Sequence, residues 1–298
     1  MGSLKEIRTR IASVTSTRQI TSAMKMVSAA KLKKAQDTIL MMRPYANKLQ
    51  EILSTLSSND EGNDNPYVRE RSVEKVLIVV ITSNRGLCGA FNANVIKLAM
   101  QIANEKFNSQ FASGKVYFMP IGRKANDFFT KKSFPVVSDS YNQLLEHATF
   151  EKTVPAAQKM MSGFLDGTYD RIEIVYNQFK NAGVQITTNE QFLPIPKLAR
   201  DKQMKGALKP VRNDFIFEPS KEQIIRELIP NSLKTQLHKA ILDSIASEHG
   251  ARMTAMHKAT DNATELIKDL KLQYNKARQA SITNEILEIV AGAEALQG

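Results

Sequence analysis

The chain is poor in the residues that usually carry chemistry. It has one cysteine, Cys88, and four histidines, His147, His238, His249 and His257. A single thiol excludes an internal disulfide and any cysteine-rich metal site, and it suits a reducing compartment. No histidine lies near Cys88 in sequence, so it reads as a buried structural thiol rather than a nucleophile. His249 and His257 sit roughly 80° apart around a helix and share no ligand-binding face. Acidic residues are scattered, with no paired-carboxylate constellation. Neither G-x-G-x-x-G nor G-x-x-x-x-G-K-[ST] occurs; the only glycine pair after a strand is Gly86-x-x-Gly89, whose simplest use is a tight turn. The expectation is a chain with no cofactor, no metal and no catalytic residue of its own.

Long apolar runs are lacking too. Val76 to Ile81 is the longest, far short of the roughly 18 residues of a membrane span, and the N-terminus has no apolar signal core. Proline is absent after Pro230, and only Gly250 and Gly292 interrupt the helix formers before the last residue.

What fills that proline-free end is helical periodicity. Met253, Met256, Thr260, Ala263, Ile267, Leu270, Tyr274, Ala277 and Ser281 alternate in steps of three and four, the spacing of a coiled-coil seam. The seam is thin, with Ala, Thr and Ser where Leu is usual. A second stripe, Ile282, Ile286, Ile289, Ala293 and Leu296, starts one residue out of phase. A helix over 231–298 would run roughly 100 Å at about 1.5 Å per residue, and it needs a partner of similar length.

The other end supplies one. Ser3 and Glu6 have capping-box spacing, and Leu4, Ile7, Ile11 and Val14 follow in steps of three and four. The pattern loosens from Thr15 to Ser22, recovers at Met24 and Val27, and continues through Ala35, Ile39, Met42, Leu49, Ile52 and Leu56. Pro44 should kink this helix without ending it. The polar stretch Ser57–Asn65 ends it.

Between the helices the composition changes. Val76–Ile81 reads as a strand buried on both faces, followed by a helix from about Asn92 to Phe107. Lys115–Pro120 is a second strand, a helix runs from Gly122 to Lys132, and Phe134–Val137 is a short third strand. A helix at Glu151–Leu165 leads to strands at Arg171–Phe179 and Val184–Pro194, paired across Asn181-Ala-Gly183. Strands alternating with helices define an α/β layered domain. Leu198–Asp214 is patternless, Phe215–Phe217 is a short strand, and Ser220 with Gln223 caps a helix ending before Pro230. The predicted fold is therefore α/β: a long antiparallel coiled coil of N- and C-terminal helices with an inserted Rossmann-like domain. Its boundaries are 1–58, 73–195, 196–230 and 231–298.

The net charge of +11 is uneven: residues 1–58 carry a net +7 and residues 220–298 a net of zero. A basic first helix suits nucleic acid, anionic lipid or an acidic protein surface. No aromatic residue is interleaved with its Lys and Arg before Tyr45, and no nucleic-acid motif is present. A basic coiled-coil adaptor or a nucleic-acid-binding protein remains the alternative to a protein-docking shaft.

Three stretches carry a resemblance. Ile11-Ala-Ser-Val14, Arg18-Gln-Ile-Thr21 and Ala23-Met-Lys-Met-Val27, with Ala30-Lys31, resemble the first helix of the gamma subunit of F-type ATP synthase. Thr82-Ser-Asn-Arg-Gly-Leu-Cys-Gly-Ala-Phe-Asn92 resembles that family's motif after its first strand. Met256–Asn262 and Tyr274–Ile289 resemble its C-terminal helix, with the run Lys-Ala-Arg-Gln-Ala-Ser-Ile-Thr the most specific. The resemblance implies a non-catalytic rotor shaft, one copy in a hetero-oligomer. Its helices would lie inside a ring of alpha and beta subunits, with the α/β domain docked on the epsilon subunit and the c-ring. It implies that Arg278, Gln279 and Thr283 grip a loop of one beta subunit, and that Phe215, Phe217 and Glu218 form a foot near the c-ring or epsilon. Phenylalanine stands in that foot where the family pattern has tyrosine. The resemblance implies no nucleic acid and a peripheral place on the cytoplasmic face of a bacterial plasma membrane; the lack of a transit peptide before Met1 points the same way. Chloroplast members have a segment with two cysteines, so with Cys88 alone no thiol regulation is expected.

Overall fold

The computed structural model describes residues 4–57, 66–137, 141–146, 148–195 and 221–297. Ser3 and residues 58–65 and 196–220 lie outside them, and with the last segment the expected strand Phe215–Phe217 and the cap at Ser220. The chain divides into two units, Lys31–Ala251 and a pairing of Met1–Ala30 with Arg252–Gly298. Two long helices, α1 (Leu4–Ser57) and α6 (Lys221–Gln297), each contribute to both.

In the larger unit a four-stranded sheet has the order β2-β1-β3-β4. β1 (Val76–Ile81) pairs in parallel with β2 (Val116–Ile121) and with β3 (Arg171–Asn181), and β4 (Val184–Leu193) returns antiparallel to β3. The continuous apolar run of β1 makes sense in a strand covered on both sides. Leu77, Val79 and Ile81 point to a core with α5 (Phe150–Leu165) and the first part of α6, where Met160, Phe164, Leu237 and Ile241 are buried. Val76, Ile78 and Val80 point the other way, toward Val95 and Ala99 of α2 (Phe91–Gln101) and Ala125 and Phe129 of α4 (Arg123–Lys131).

Three departures from the sequence reading have physical causes. Pro230 does not end a helix; it sits inside α6. Ile229, Leu233, Leu237 and Ile241, at helical spacing around it, are buried in the sheet core. Burying each contributes about 1.5–3 kcal/mol, which together outweighs the roughly 3 kcal/mol cost of an interior proline. The helix expected to run to Phe107 instead widens into a π-helical turn at Ile102–Lys106, followed by the short α3 (Asn108–Ala112). That turn delivers Lys106 Nζ to 2.6 Å from Oε1 of Glu173, a fully buried carboxylate on β3, whose charge would be costly without a partner. Arg171 Nε at 2.7 Å and Asn189 Nδ2 at 2.8 Å complete its shell. Finally, Phe134–Val137 adds no strand: only Val136 bridges, in parallel, to Phe118.

In the smaller unit the ends of α1 and α6 pair antiparallel. The positions Met256, Ala263, Ile267 and Leu270 are buried, and Met253, Thr260, Tyr274, Ala277 and Ser281 between and beyond them are half-buried. On α1 the inward face runs through the half-buried Leu4, Ile7, Ile11, Val14 and Arg18 to the buried Thr21 and Ser28. The heptad does not lapse between Thr15 and Ser22; it turns polar. Val27 is 57% exposed and Ser28 takes its place inside. Thr21 Oγ1 donates to Arg18 O and lies 2.8 Å from Thr260 Oγ1, which donates to it. The single Thr260 proton lies between Thr21 Oγ1 and Met256 O, both at 2.8 Å, so the two hydroxyls meet inside the seam with their protons placed, which is what lets polar side chains stand at core positions.

Candidate functional site

In open α/β sheets ligands bind outside the carboxyl ends of the strands, where the strand order reverses. Here that point lies beside β1, between β2 on one side and β3 on the other. The chain fills it with its own side chains. Asn92 Oδ1 accepts from Ser83 N at 2.9 Å, and Asn92 Nδ2 donates to Ser83 Oγ at 2.9 Å and to Cys88 Sγ at 3.2 Å. Cys88 is buried, as the sequence suggested, and packs with Phe91 and Ala251. Asn177 Nδ2 donates to Phe91 O at 3.1 Å, and Thr187 Oγ1 donates to Asn177 Oδ1 at 2.8 Å.

The helix N-terminus at α4, a ready-made anion site in other folds, is capped from within. Asn84 Oδ1 accepts from Arg123 N at 3.0 Å and Thr82 Oγ1 accepts from Ala125 N at 2.9 Å. Gly122, at φ 116°, lets the two loops close: a Cβ there would stand 2.3 Å from Thr82 O. No anchor for a phosphate is left on these donors. Among the described residues no cluster of three His, Cys, Asp or Glu can hold a metal ion.

The surface that is open lies on α6. With Thr260 opposite Thr21, an antiparallel partner beginning at Leu4 reaches only to about residue 277 at equal rise per residue. Beyond that point the described side chains of α6 are exposed except Ser281, which is half-buried. Ile282, Ile286, Ile289, Leu287 and Val290 are all exposed, Ile289 at 71%. Ile282, Ile286 and Ile289 belong to the second stripe of the sequence, as does the exposed Ala293, while Leu296 lies outside the described side chains. Arg278, Gln279 and Thr283 lie at its start and all three are exposed. Thr283 Oγ1 donates to Gln279 O at 2.9 Å, so its lone pairs remain for an incoming donor. Phe215, Phe217 and Glu218 lie outside the described residues.

The sequence reading named Gly250 only as an interruption of the helix formers and did not single out Asn177 or Ser247, which with it join the sheet to α6. The signal was there in part: Asn177 interrupts the apolar run of β3, and Ser247 and Gly250 are small residues along a helix that packs on a sheet.

The fold and its open surface define a class: paired terminal helices around an inserted α/β domain, with apolar helix surface left for other chains. Over residues 3–296 the chain matches the family model described as ATP synthase. The ATP synthase gamma chain of Flavobacterium johnsoniae is 59% identical over 300 residues, covering all of both chains. That of Cytophaga hutchinsonii is 52% identical, covering 99% of each, and that of Geobacter metallireducens is 43% identical over all of both. A chain from the mitochondrial ATP synthase of Euglena gracilis, solved with OSCP, F1 and c-ring, superposes with a TM-score of 0.69 at 24% identity. The match covers 98% of this chain and 94% of that one. The chain belongs to the ATP synthase gamma chain family.

Proposed function

We propose that the chain is the central rotor shaft of an F-type ATP synthase, coupling proton-driven rotation of the c-ring to ATP synthesis or hydrolysis by the alpha and beta subunits. It is not an enzyme by itself; catalysis belongs to the ring around it. The observation that carries this reading is the stretch of α6 beyond residue 277, where Ile282, Ile286 and Ile289 are exposed. Bare apolar stripes of this kind mark an interaction surface. Full-length similarity to gamma chains supports it, and the Euglena chains belong to structures described as the rotor and as OSCP/F1/c-ring.

In this reading alpha and beta subunits enclose the tip, and Arg278, Gln279 and Thr283 grip a loop of one beta subunit through charge-assisted and neutral hydrogen bonds. Epsilon and the c-ring meet the α/β unit, with Phe215, Phe217 and Glu218 as the foot contact. One copy serves each complex, peripheral to the cytoplasmic face of a bacterial plasma membrane. Bacterial relatives support that location, and no helix among the described residues is long and apolar enough to cross a membrane. The nucleic-acid or adaptor alternative draws no support from the relatives.

The test is co-purification of the tagged chain from cells that express the other subunits. Recovery with alpha, beta, epsilon and c subunits, and ATP-driven proton pumping by the complex in vesicles, is expected. Recovery with nucleic acid that resists moderate salt would overturn the reading.

A further inference from the structure

Just before α6 leaves the larger unit at Ala251, it is fastened to the sheet by a compact set of contacts. Ser247, fully buried, donates its hydroxyl to the backbone carbonyl of Asn177 on β3 at 2.9 Å. One turn on, Gly250 faces the backbone of Ala182 in the β3–β4 turn, where an added Cβ would meet Ala182 O at 3.1 Å and Ala182 Cα at 3.3 Å. Ala251 packs on Cys88 and Phe91 at the start of α2. The same Asn177 that receives Ser247 ties its side chain to Phe91 O and Thr187 Oγ1. Helix, hairpin and loop therefore share one node, in which Asn177 is bonded through its backbone carbonyl and both ends of its side-chain amide.

We propose that this node, Asn177–Ser247–Gly250, is the joint through which twist applied to the sheet is passed into α6. The inference rests on the rotor reading above. Its residues are positioning residues that act through α6, not contacts to a partner subunit. Three features favour the joint over ordinary core packing. The Ser247 bond is directed at the strand backbone, so it resists sliding, whereas the aliphatic contacts of Leu237 and Ile241 in the same helix resist only separation. Gly250 brings two backbones to a distance that leaves no room for slippage by a rotamer change. The node is also the last of the unit before the helix continues from Arg252 into the other one, so strain carried by α6 passes it.

The experiment uses the complete membrane-reconstituted complex. ATP hydrolysis and ATP-driven proton pumping are measured while an opposing proton gradient is raised stepwise. Ser247→Ala removes the helix-to-strand bond and Gly250→Ala wedges the two backbones apart. Both are expected to keep unloaded hydrolysis near that of the unvaried chain and to lose pumping at a lower opposing gradient. Leu237→Ala serves as the stability control: it opens a cavity in the same core, lowers the melting temperature more than Ser247→Ala, and leaves the load curve in place. Should Gly250→Ala fail to assemble, Ser247→Ala against Leu237→Ala decides. Load curves of the joint variants that match the unvaried chain, or an equal shift in Leu237→Ala, overturn the joint. A complex with the unvaried chain that never pumps overturns the rotor reading instead.

Discussion

Thr21 and Thr260 show how a polar residue earns a core position. Each hydroxyl uses the other, so neither is left as an unpaired group in the seam. Thr260→Val keeps the shape and removes the donor; Thr21 still donates to Arg18 O, so the loss is expected at about 0.5–1.5 kcal/mol. Adding Thr21→Val should cost less than the sum of the two single changes, which chemical denaturation in a double-mutant cycle would read. His238 works differently. It lies buried between Thr153, 3.2 Å from its Nδ1, and the ring of Phe150, and burial pushes its pKa below the ordinary value of 6.5. The unfolded chain then binds more protons than the folded one as pH falls through 6.5. The stabilisation is complete above that pH and is lost progressively below it. Urea midpoints of the chain are expected to fall between pH 7.5 and 5.5, and to fall less in a His238→Gln variant. At the tip, replacing Arg278, Gln279 and Thr283 together by Ala should weaken assembly by about 10- to 100-fold if a desolvated grip is lost. Circular dichroism should show the helices intact, and unchanged assembly and turnover would remove these residues from the contact.

At the scale of elements, the filled crevice beside β1 makes a prediction of its own. With Asn92, Asn84 and Thr82 occupying the donors that would face a phosphate, titration calorimetry with ATP, ADP or NAD should show nothing tighter than millimolar. A stoichiometric micromolar signal that disappears in Arg85→Ala would contradict this. Elements also mark the limits of reading from sequence. β1, β2, β3 and β4 were legible because continuous or alternating apolar runs have few other solutions. The long seam of α6 was legible position by position, from Met253 to Ser281. Pro230 was misread because local rules see a missing N–H and not the four aliphatic side chains that the sheet buries around it. The π-helical turn at Ile102–Lys106 was invisible for the same reason: its cause, Glu173, lies far along the chain. On α1, Thr21 looked like part of a gap in the heptad because no single-chain pattern reveals that Thr260 waits opposite, and Val27 was taken for the inward residue that is Ser28.

At the scale of the whole molecule, function was legible through three specific stretches rather than through charge. A net of +11 fits nucleic acid, lipid and acidic protein equally well, and only the run from Tyr274 to Ile289 and its companions separated these. The proposal for Arg278, Gln279 and Thr283 came from that run; the proposed joint at Asn177, Ser247 and Gly250 did not, because Asn177 and Ser247 lie 70 residues apart and each is unremarkable alone.

The pairing of Thr21 with Thr260 closes a sequence separation of 239 residues, and this imposes an order on biosynthesis. At about 5–20 residues per second on the ribosome, the first helix waits roughly 12–48 s for its mate to be made. During that interval its inward stripe has nothing to cover it. A leucine-rich stripe would invite self-association among nascent chains. This one mixes Ile and Val with Thr, Arg and Ser, and its flanks carry an excess of positive charge that keeps like chains apart. The thin seam thus serves solubility before it serves the finished pair, and thickening it with leucines is expected to raise the share of newly made protein found in aggregates.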